Sequence, residues 1–550
     1  MSISINKNIH IKNTRHNFVS ALLLFASAVM IPFTASEAQW NSNPLANKML
    51  VTGVKNPIGI STVPDQTGGG FIFWEDKIDS VTTDIFFQHF NEDGQISFRA
   101  DGKQISRRKS SRTSAIASAA PAQSAVVVYH DIDNDKSGEL FAQRVSSRGD
   151  LLWDEDGVRL TDHQGETEYP AISSDRDGNA FVTYIYRDFN TPVNYNIYLQ
   201  KIKPSGSLVF RGNGVLVNQS PRVKSHSKIT SDNKGGAYVL WVESSEGKAR
   251  LYAAHFDSTG KNTWSGKNIL ISSGNDNVLG FSAAQCTGGQ IYISWEVKKG
   301  DKDIYHQLLS IDGRPQWSRD GEKISSRNGN QTSPQFVCTD STIIVSWVNE
   351  LFNDRDIYIQ KFSLKGKPLW GKDGIPVIKF WGNQMSQRLI ADRNAGVIIA
   401  WIDMRSKSHK GTIFAQRVSS EGRQMWDSTG VEIAANINSD KSYLSLLPNK
   451  INGAVAVFRE NRLKESNIYG QRIFGNGKFN SDILGFRAVL NNDMVRASWE
   501  TLNESYNKGF YVERITSDTV WQQIKFIPGR NSKGPNQYEF SEKMPVKGTV

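Results

Sequence analysis

Residues 140 to 161 read LFAQRVSSRGDLLWDEDGVRLT, and residues 413 to 434 read IFAQRVSSEGRQMWDSTGVEIA, the same phrase restated 413 − 140 = 273 positions later. A chain that repeats itself builds one supersecondary unit many times over, which constrains the fold more tightly than any composition figure. Three markers travel with the phrase. An aromatic closing an apolar run returns as Trp74, Tyr129, Tyr184, Trp241, Trp295, Trp347, Trp401 and Phe458, at spacings of 55, 55, 57, 54, 52, 54 and 57. A glutamine follows in the next apolar run as Gln88, Gln143, Gln200, Gln307, Gln360, Gln416 and Gln471, with Ala254 in its place in the fourth copy. A turn glycine with an aromatic four residues on returns as Gly94/Phe98, Gly149/Trp153, Gly206/Phe210, Gly260/Trp264, Gly313/Trp317, Gly366/Trp370 and Gly422/Trp426.

Each copy reads as four short strands. In copy seven they are RLIAD, GVIIAWID, TIFAQRV and GVEIA, rich in β-branched and aromatic residues and parted by Gly, Asn, Asp and Ser. The hairpin between the first two, DRNAG at 392 to 396, is echoed by DNKGG at 232 to 236 and DRDGN at 175 to 179. Asp and Asn bond their own backbone in such turns and Gly accepts positive φ, so these acids read as turn chemistry, not catalysis. Runs such as YVLW and IIVSW lack polar alternation, as strands covered on both faces do.

Four-stranded sheets covered on both faces and repeated at this period predict an all-β chain folded as a β-propeller. The eighth copy, INGAVAVF…NIYGQRIFGNGKF, lacks its fourth strand, and Trp40 with KMLV (48 to 51) looks like the missing piece. The expectation is an eight-bladed β-propeller over 39–480 with an N-terminal strand closing the last blade; a seven-bladed ring with one copy outside it is the alternative. The markers then have packing roles, the aromatics as core and the glutamines as partners for buried backbone groups.

Lys7, Lys12 and Arg15 precede the apolar run ALLLFASAVMIPF (21 to 33), which leads to small residues at Ser36 and Ala38. This is the pattern of a signal peptide over 1–38, cut after Ala38. The run is shorter than the ~20 residues that a membrane span needs, and no later segment is apolar enough to cross a bilayer. The mature chain is therefore expected to be secreted, extracellular or at the cell surface, and a monomer. Its net charge of +10 is scattered rather than gathered into a stripe, which argues against nucleic acid and leaves a weak attraction to anionic glycans or cell-surface polymers.

Chemistry-bearing motifs are sparse. Asp131, Asp133 and Asp135 in DIDNDKSGE have calcium-loop spacing, yet Lys136 stands where that loop needs glycine. The nine histidines show no H-E-x-x-H spacing, and no G-x-S-x-G elbow, phosphate loop or S-x-D-x-G-x-x-W sugar-cleaving box occurs. Seven carboxylates closely follow the blade aromatics, namely Glu75, Asp76, Asp131, Glu243, Glu296, Asp403 and Glu460. A pair of them could meet at the axis, whereas Asp403/Arg405 and Glu460/Arg462 read as loop ion pairs worth under ~1 kcal/mol. Cys286 and Cys338 occupy equivalent sites on adjacent copies. Equivalent points 45° apart at radius r are about 0.77r apart, so a disulfide's ~6.8 Å Cα limit needs r below ~9 Å; further out, buried free thiols are expected.

From Ser481 to Val550 the pattern changes. Trp499, Thr501 and Glu504, followed by Gly509, Phe510, Val512 and Arg514, form a W-x-T-x-x-E…G-F-x-V-x-R phrase. It resembles the fibronectin type III-like module of proteins exported by the type IX secretion system. The repeat is likewise similar to those of secreted proteins of that group at Trp401, Asp403, Arg405 and Ile413 to Arg417. The resemblance implies a small β-sandwich over 481–550, incomplete because such a sandwich needs strands beyond QYEF.

No residue is thereby given a catalytic, metal-ligating or cofactor-binding role, and no cofactor is expected. The reading is a secreted, non-enzymatic interaction protein whose propeller face binds extracellular glycan or protein. The alternative is a glycan-cleaving propeller enzyme with carboxylates at the central channel.

Overall fold

The computed structural model describes residues 9–13, 17–19, 40, 43–80, 82–108, 110–132, 138–161, 165–188, 195–264, 268–272, 277–378, 380–406, 410–450, 452–462, 465–477, 482–491, 494–502, 509–515, 521–530, 532 and 535–543. The apolar run at 21–33 and the expected cut after Ala38 lie outside them. Among the described residues the chain is all-β, and no helix is long and apolar enough to cross a membrane.

Eight four-stranded antiparallel sheets follow one another along the repeat. Their first strands are Ile58–Pro64, Ser111–Ala120, Gly165–Ser174, Val223–Ser231, Val278–Gln285, Asn330–Cys338, Gln384–Ala391 and Lys441–Pro448, which number the sheets 1 to 8. In sheet 7 the others are Val397–Asp403, Thr412–Val418 and Val431–Ala434. All seven residues of Val397–Asp403 are buried, as expected of an unalternating apolar strand covered on both faces. Each first strand is an edge of its own sheet and packs on the first strand of the next sheet, and that of sheet 8 packs on that of sheet 1. This is a β-propeller arrangement.

Sheet 8 takes its fourth strand from Lys48–Val51, which pairs antiparallel with Glu465–Ile473 through Met49↔Tyr469. Asn47 anchors the join by donating to Gln471 Oε1 at 2.9 Å and to the Ile433 carbonyl at 2.7 Å. Between sheets 8 and 1, Trp40, Leu50 and Val51 share a buried cluster with Ile72, Trp74 and Val455, and Thr62 and Ser445 join their hydroxyls.

The three sequence markers prove to be one device. The glutamine side chain donates to a carbonyl in the loop after its strand, at 2.6 Å for Gln307 and 2.7 Å for Gln416. Its own oxygen accepts the backbone N–H of the loop aromatic, Trp317 at 3.1 Å and Trp426 at 2.9 Å. Where Ala254 interrupts the series, Asn262 Oδ1 holds Trp264 N instead, at 3.0 Å. The aromatic so held lies over the turn glycine of the next sheet: Phe98 over Gly149, Trp153 over Gly206, Phe210 over Gly260, Trp264 over Gly313, Trp317 over Gly366, Trp370 over Gly422 and Trp426 over Gly477. Trp40 completes the series over Gly94 of sheet 1 and donates its indole N–H to the Glu92 carbonyl at 2.8 Å. These glycines have φ near +80°, and a Cβ on Gly94 would stand 2.8 Å from the Trp40 ring, so both backbone and space demand glycine.

Cys286 and Cys338 form a disulfide with a Cα–Cα distance of 5.3 Å, which corrects the expectation of free thiols. The reason is placement: both sit at the ends of first strands, where the sheets crowd together.

Beyond Gly477, Asp482–Asn491, Met494–Leu502 and Pro535–Lys543 form a three-stranded sheet. Gly509–Ile515 and Trp521–Pro528 pair in another, whose remaining strands are Ile9–Asn13 and Asn17–Val19. Trp499, Phe510, Val512 and Tyr538 share one buried cluster, so the residues of the W-x-T and G-F-x-V phrase pack together. Glu504 lies outside the described residues.

Replacing Trp40 by Ala should cost ~3–5 kcal/mol of stability, the range for a buried tryptophan. Because Gly94 meets the same ring, Gly94→Ala and Trp40→Ala combined should cost less than their sum; denaturant melts of the four proteins check the coupling.

Candidate functional site

Successive side chains of a strand point to opposite faces, and this sorts the seven carboxylates that follow the blade aromatics. Those two residues on serve the loop entering their own sheet. Asp76 accepts the backbone N–H groups of Lys55 and Asn56, each at 2.9 Å. Glu243 accepts Ser220 and Arg222, each at 3.2 Å. Asp131 Oδ2 accepts Ser110 at 2.8 Å and lies 3.3 Å from Arg108; Asp133 and Asp135, the other acids with calcium-loop spacing, lie outside the described residues. Among the described residues no cluster of His, Cys, Asp and Glu suits a metal ion.

The two expected loop ion pairs are not surface features. Asp403 is fully buried and accepts Trp401 Nε1 at 2.8 Å, Arg405 Nε at 2.8 Å and Arg405 Nη2 at 2.7 Å. Glu460 is fully buried among Ser439, Lys441 Nζ at 3.6 Å and Arg462 Nη2 at 2.7 Å. The figure of under ~1 kcal/mol applies to exposed pairs; removing one partner of a buried pair strands the other and costs ~3–5 kcal/mol.

Glu75 and Glu296, one residue after their aromatics, face the next sheet. What they meet there is a feature without a sequence motif. Every first strand carries a register shift near its start. In seven of them a residue at the shift has left-handed backbone: Gly59, Ser114, Tyr169, His226, Ser333, Ser386 and Tyr443, with φ between +48° and +61°. For residues other than glycine such backbone stores on the order of 1–3 kcal/mol each and persists where the surroundings impose it. The Glu75 carboxylate accepts the Ser114 N–H at 2.8 Å, and the Glu296 carboxylate accepts the Ser333 N–H at 2.8 Å. Burial pushes both carboxyls above their usual range, against the pull of those N–H donors.

The bulges thus recur from sheet to sheet near one end of the first strands. Tyr169 and Tyr443 keep 45% and 42% of their surface there, and the Tyr169 ring lies 5.3 Å from His226. Beside the bulges, between sheets 5 and 7, opens a cleft of ≈ 680 Å³ whose lining includes Glu296, Lys302, Ser333, Glu350, Arg355 and Arg388. Glu350 is paired with Arg355 at 3.2 Å. The hairpin acids at the other end of the sheets are turn chemistry, as expected: Asp232 and Asp392 accept the N–H groups of Gly236 at 2.8 Å and Gly396 at 2.7 Å.

No protein-family model matches the chain, and no curated protein matches it. Among solved structures it is similar to one from a structural and mechanistic study of two prolyl endopeptidases, at 12% identity and TM-score 0.41, covering 74% of this chain and 54% of that one. The chain therefore spans about half the length of that relative. It is also similar to the polysaccharide lyase Uly1, at 11% identity and TM-score 0.40 over 71% and 94% of the two chains. A third likeness is to an endo-arabinase from Bacteroides thetaiotaomicron, at 13% identity and TM-score 0.25 over 48% and 96%. At TM-scores below 0.5 these likenesses carry no functional weight.

Asp403→Ala should destabilise the chain by ~3–5 kcal/mol by orphaning Arg405, measurable as a lowered denaturation midpoint. A carboxyl whose folded-state value lies above its unfolded one holds its proton more tightly when folded. Its contribution is most favourable at low pH and is lost as pH rises from the ordinary carboxyl range through the raised folded value. Glu296→Gln should remove that part of the stability loss on raising the pH from about 4 to 7, which melts across the range would show.

Proposed function

We propose that the eight sheets are the blades of one closed ring, and that the protein is a secreted binding protein engaging extracellular glycan or protein at the bulge-ringed mouth. One observation carries the reading. Five of the seven carboxylates that could serve catalysis at the axis are consumed by their own loops, while the mouth presents open aromatic and polar side chains, Tyr169, His226, Ser333, Ser386 and Tyr443. In a ring of eight, Glu75 of sheet 1 and Glu296 of sheet 5 stand on opposite sides, unlike the carboxylates ~5–10 Å apart that sugar hydrolysis uses. Closure is supported by the strand from Lys48–Val51, by Trp40 over Gly94 and by the packing of the first strands of sheets 8 and 1.

Secretion is supported by the N-terminal leader pattern and by the Cys286–Cys338 disulfide, a bond that persists in oxidising compartments. The C-terminal sheets suit a fibronectin type III-like spacer. The second reading, a glycan-cleaving enzyme, draws support from Glu296, whose raised carboxyl lines the ≈ 680 Å³ cleft as a general acid would.

Purified chain from Gln39 onward should retain polysaccharides of a neutral and acidic panel without releasing shortened products. Tyr169→Ala combined with Tyr443→Ala should weaken retention at least tenfold with an unchanged melting temperature. Product release that disappears in Glu296→Gln would establish the enzyme instead.

A further inference from the structure

Beyond each bulge, one residue of the first strand pairs with the residue preceding the blade aromatic: Ser61↔Phe73, Ile116↔Val128, Ala171↔Thr183, Lys228↔Leu240, Ser282↔Ser294, Gln335↔Ser346, Arg388↔Ala400 and Ser445↔Val457. The register makes these eight positions equivalent, one per sheet around the mouth. Two of them are cations and none is an acid. Among the described residues neither Lys228 nor Arg388 has a carboxylate within ion-pair distance; Arg388 donates to the Gln387 carbonyl at 2.9 Å. Both are solvent-exposed by area, yet burial pushes both below their ordinary values with no carboxylate pulling them back. An exposed side chain that still feels burial stands in a narrow, wetted space walled by protein. The nearest bulge residues add Ser386 and the His226–Tyr169 pair, with Glu168 beside Tyr169. Glu75 and Glu296, which face this region, take their hydrogen bonds from bulge N–H groups rather than from these cations.

Positive charge confined where water is restricted, with no carboxylate paired to it among the described residues, is a site for an anion from outside. The geometry allows one group to be shared. The opening is narrow at this end of the strands, where Ala117 N–H donates to Ser61 Oγ at 3.3 Å and Gln387 Nε2 donates to the Ser333 carbonyl at 2.7 Å, each between neighbouring sheets. Lys228 of sheet 4 and Arg388 of sheet 7 have long side chains that can reach toward one anionic group across such an opening. Arginine's planar fork suits a carboxylate or sulfate, and lysine supplies a second point charge.

We propose that the propeller mouth binds the anionic group of an acidic glycan, a uronate carboxylate or a sugar sulfate, between Lys228 and Arg388. The proposal rests on the binding reading above and names its ligand class. Three chains are compared: the wild type, the double variant Lys228→Gln/Arg388→Gln, and a charge-matched control, Lys365→Gln/Lys367→Gln, which changes two exposed lysines elsewhere. Polygalacturonate and dextran sulfate are the acidic probes and neutral dextran the comparison. The expected result is at least tenfold weaker binding of one or both acidic probes by the mouth variant, with the control and wild type alike. Equal binding by the mouth variant and the wild type overturns the proposal, as does an equal loss in the control, which would mark a diffuse effect of net charge. Inorganic sulfate separates the two levels of the argument. If no polysaccharide binds, but sulfate raises the melting temperature of wild type and control and not of the mouth variant, the glycan reading fails and the anion site stands. If sulfate raises all three alike or none, the anion site fails too.

Discussion

The structure depends on an aromatic ring laid over a glycine. In sheets 1 to 7 a loop aromatic, held by the glutamine of its own third strand or, in sheet 4, by Asn262, covers the turn glycine of the following sheet, and Trp40 does the same from sheet 8 to sheet 1. The contact is directional: every sheet gives a ring to one neighbour and receives one from the other. Such a unit has no satisfied end unless its ends meet, which is why a lone copy could not fold and why eight copies need Trp40. The energetics come from burying large rings in a place where the backbone leaves no room for a side chain. The specificity comes from the glutamine, which spends both faces of its amide on the loop that carries the ring.

The same division of labour explains the mouth. Second and third strands are consumed by packing, as the burial of Val397–Asp403 shows, and acids two residues after the aromatic are consumed by loops. What escapes is the bulged start of each first strand, where a register shift turns one residue out of the sheet. Because the bulge recurs, variation at that point changes the surface without touching the core. Sheet 4 places His226 and Lys228 there, sheet 2 Ser114 and Ile116, sheet 7 Ser386 and Arg388. A rigid frame with one variable position per sheet is a natural way to present recognition groups.

Much of this could be read from the chain. Repeat spacing located the four-stranded units, and the missing strand of the eighth copy pointed to KMLV and Trp40. The glutamines were expected to satisfy backbone groups, and Gln416 does so with Asp427 and Trp426. Other features were hidden for physical reasons. Asp403 and Glu460 look like surface acids because a sequence does not show that an indole and an arginine close over them. The disulfide turned on a radius, which a one-dimensional pattern lacks. The recurring bulge was missed because Ser, Tyr and His at positive φ leave no motif; their one signal is a constant offset before the blade aromatic, visible only once the copies are aligned on strand pairing.

The split construction of sheet 8 bears on how the molecule is made. Met49 and Tyr469 are partners separated by 469 − 49 = 420 residues, so nearly the whole chain must emerge before the first segment synthesised can find its place. Loops of that length close slowly, and until they do the outer edge of Glu465–Ile473 is an open strand edge, able to pair with another chain. A chain that crosses a membrane before folding would be spared part of this hazard, since its beginning and end would become available to each other in one compartment, away from the crowd of nascent copies.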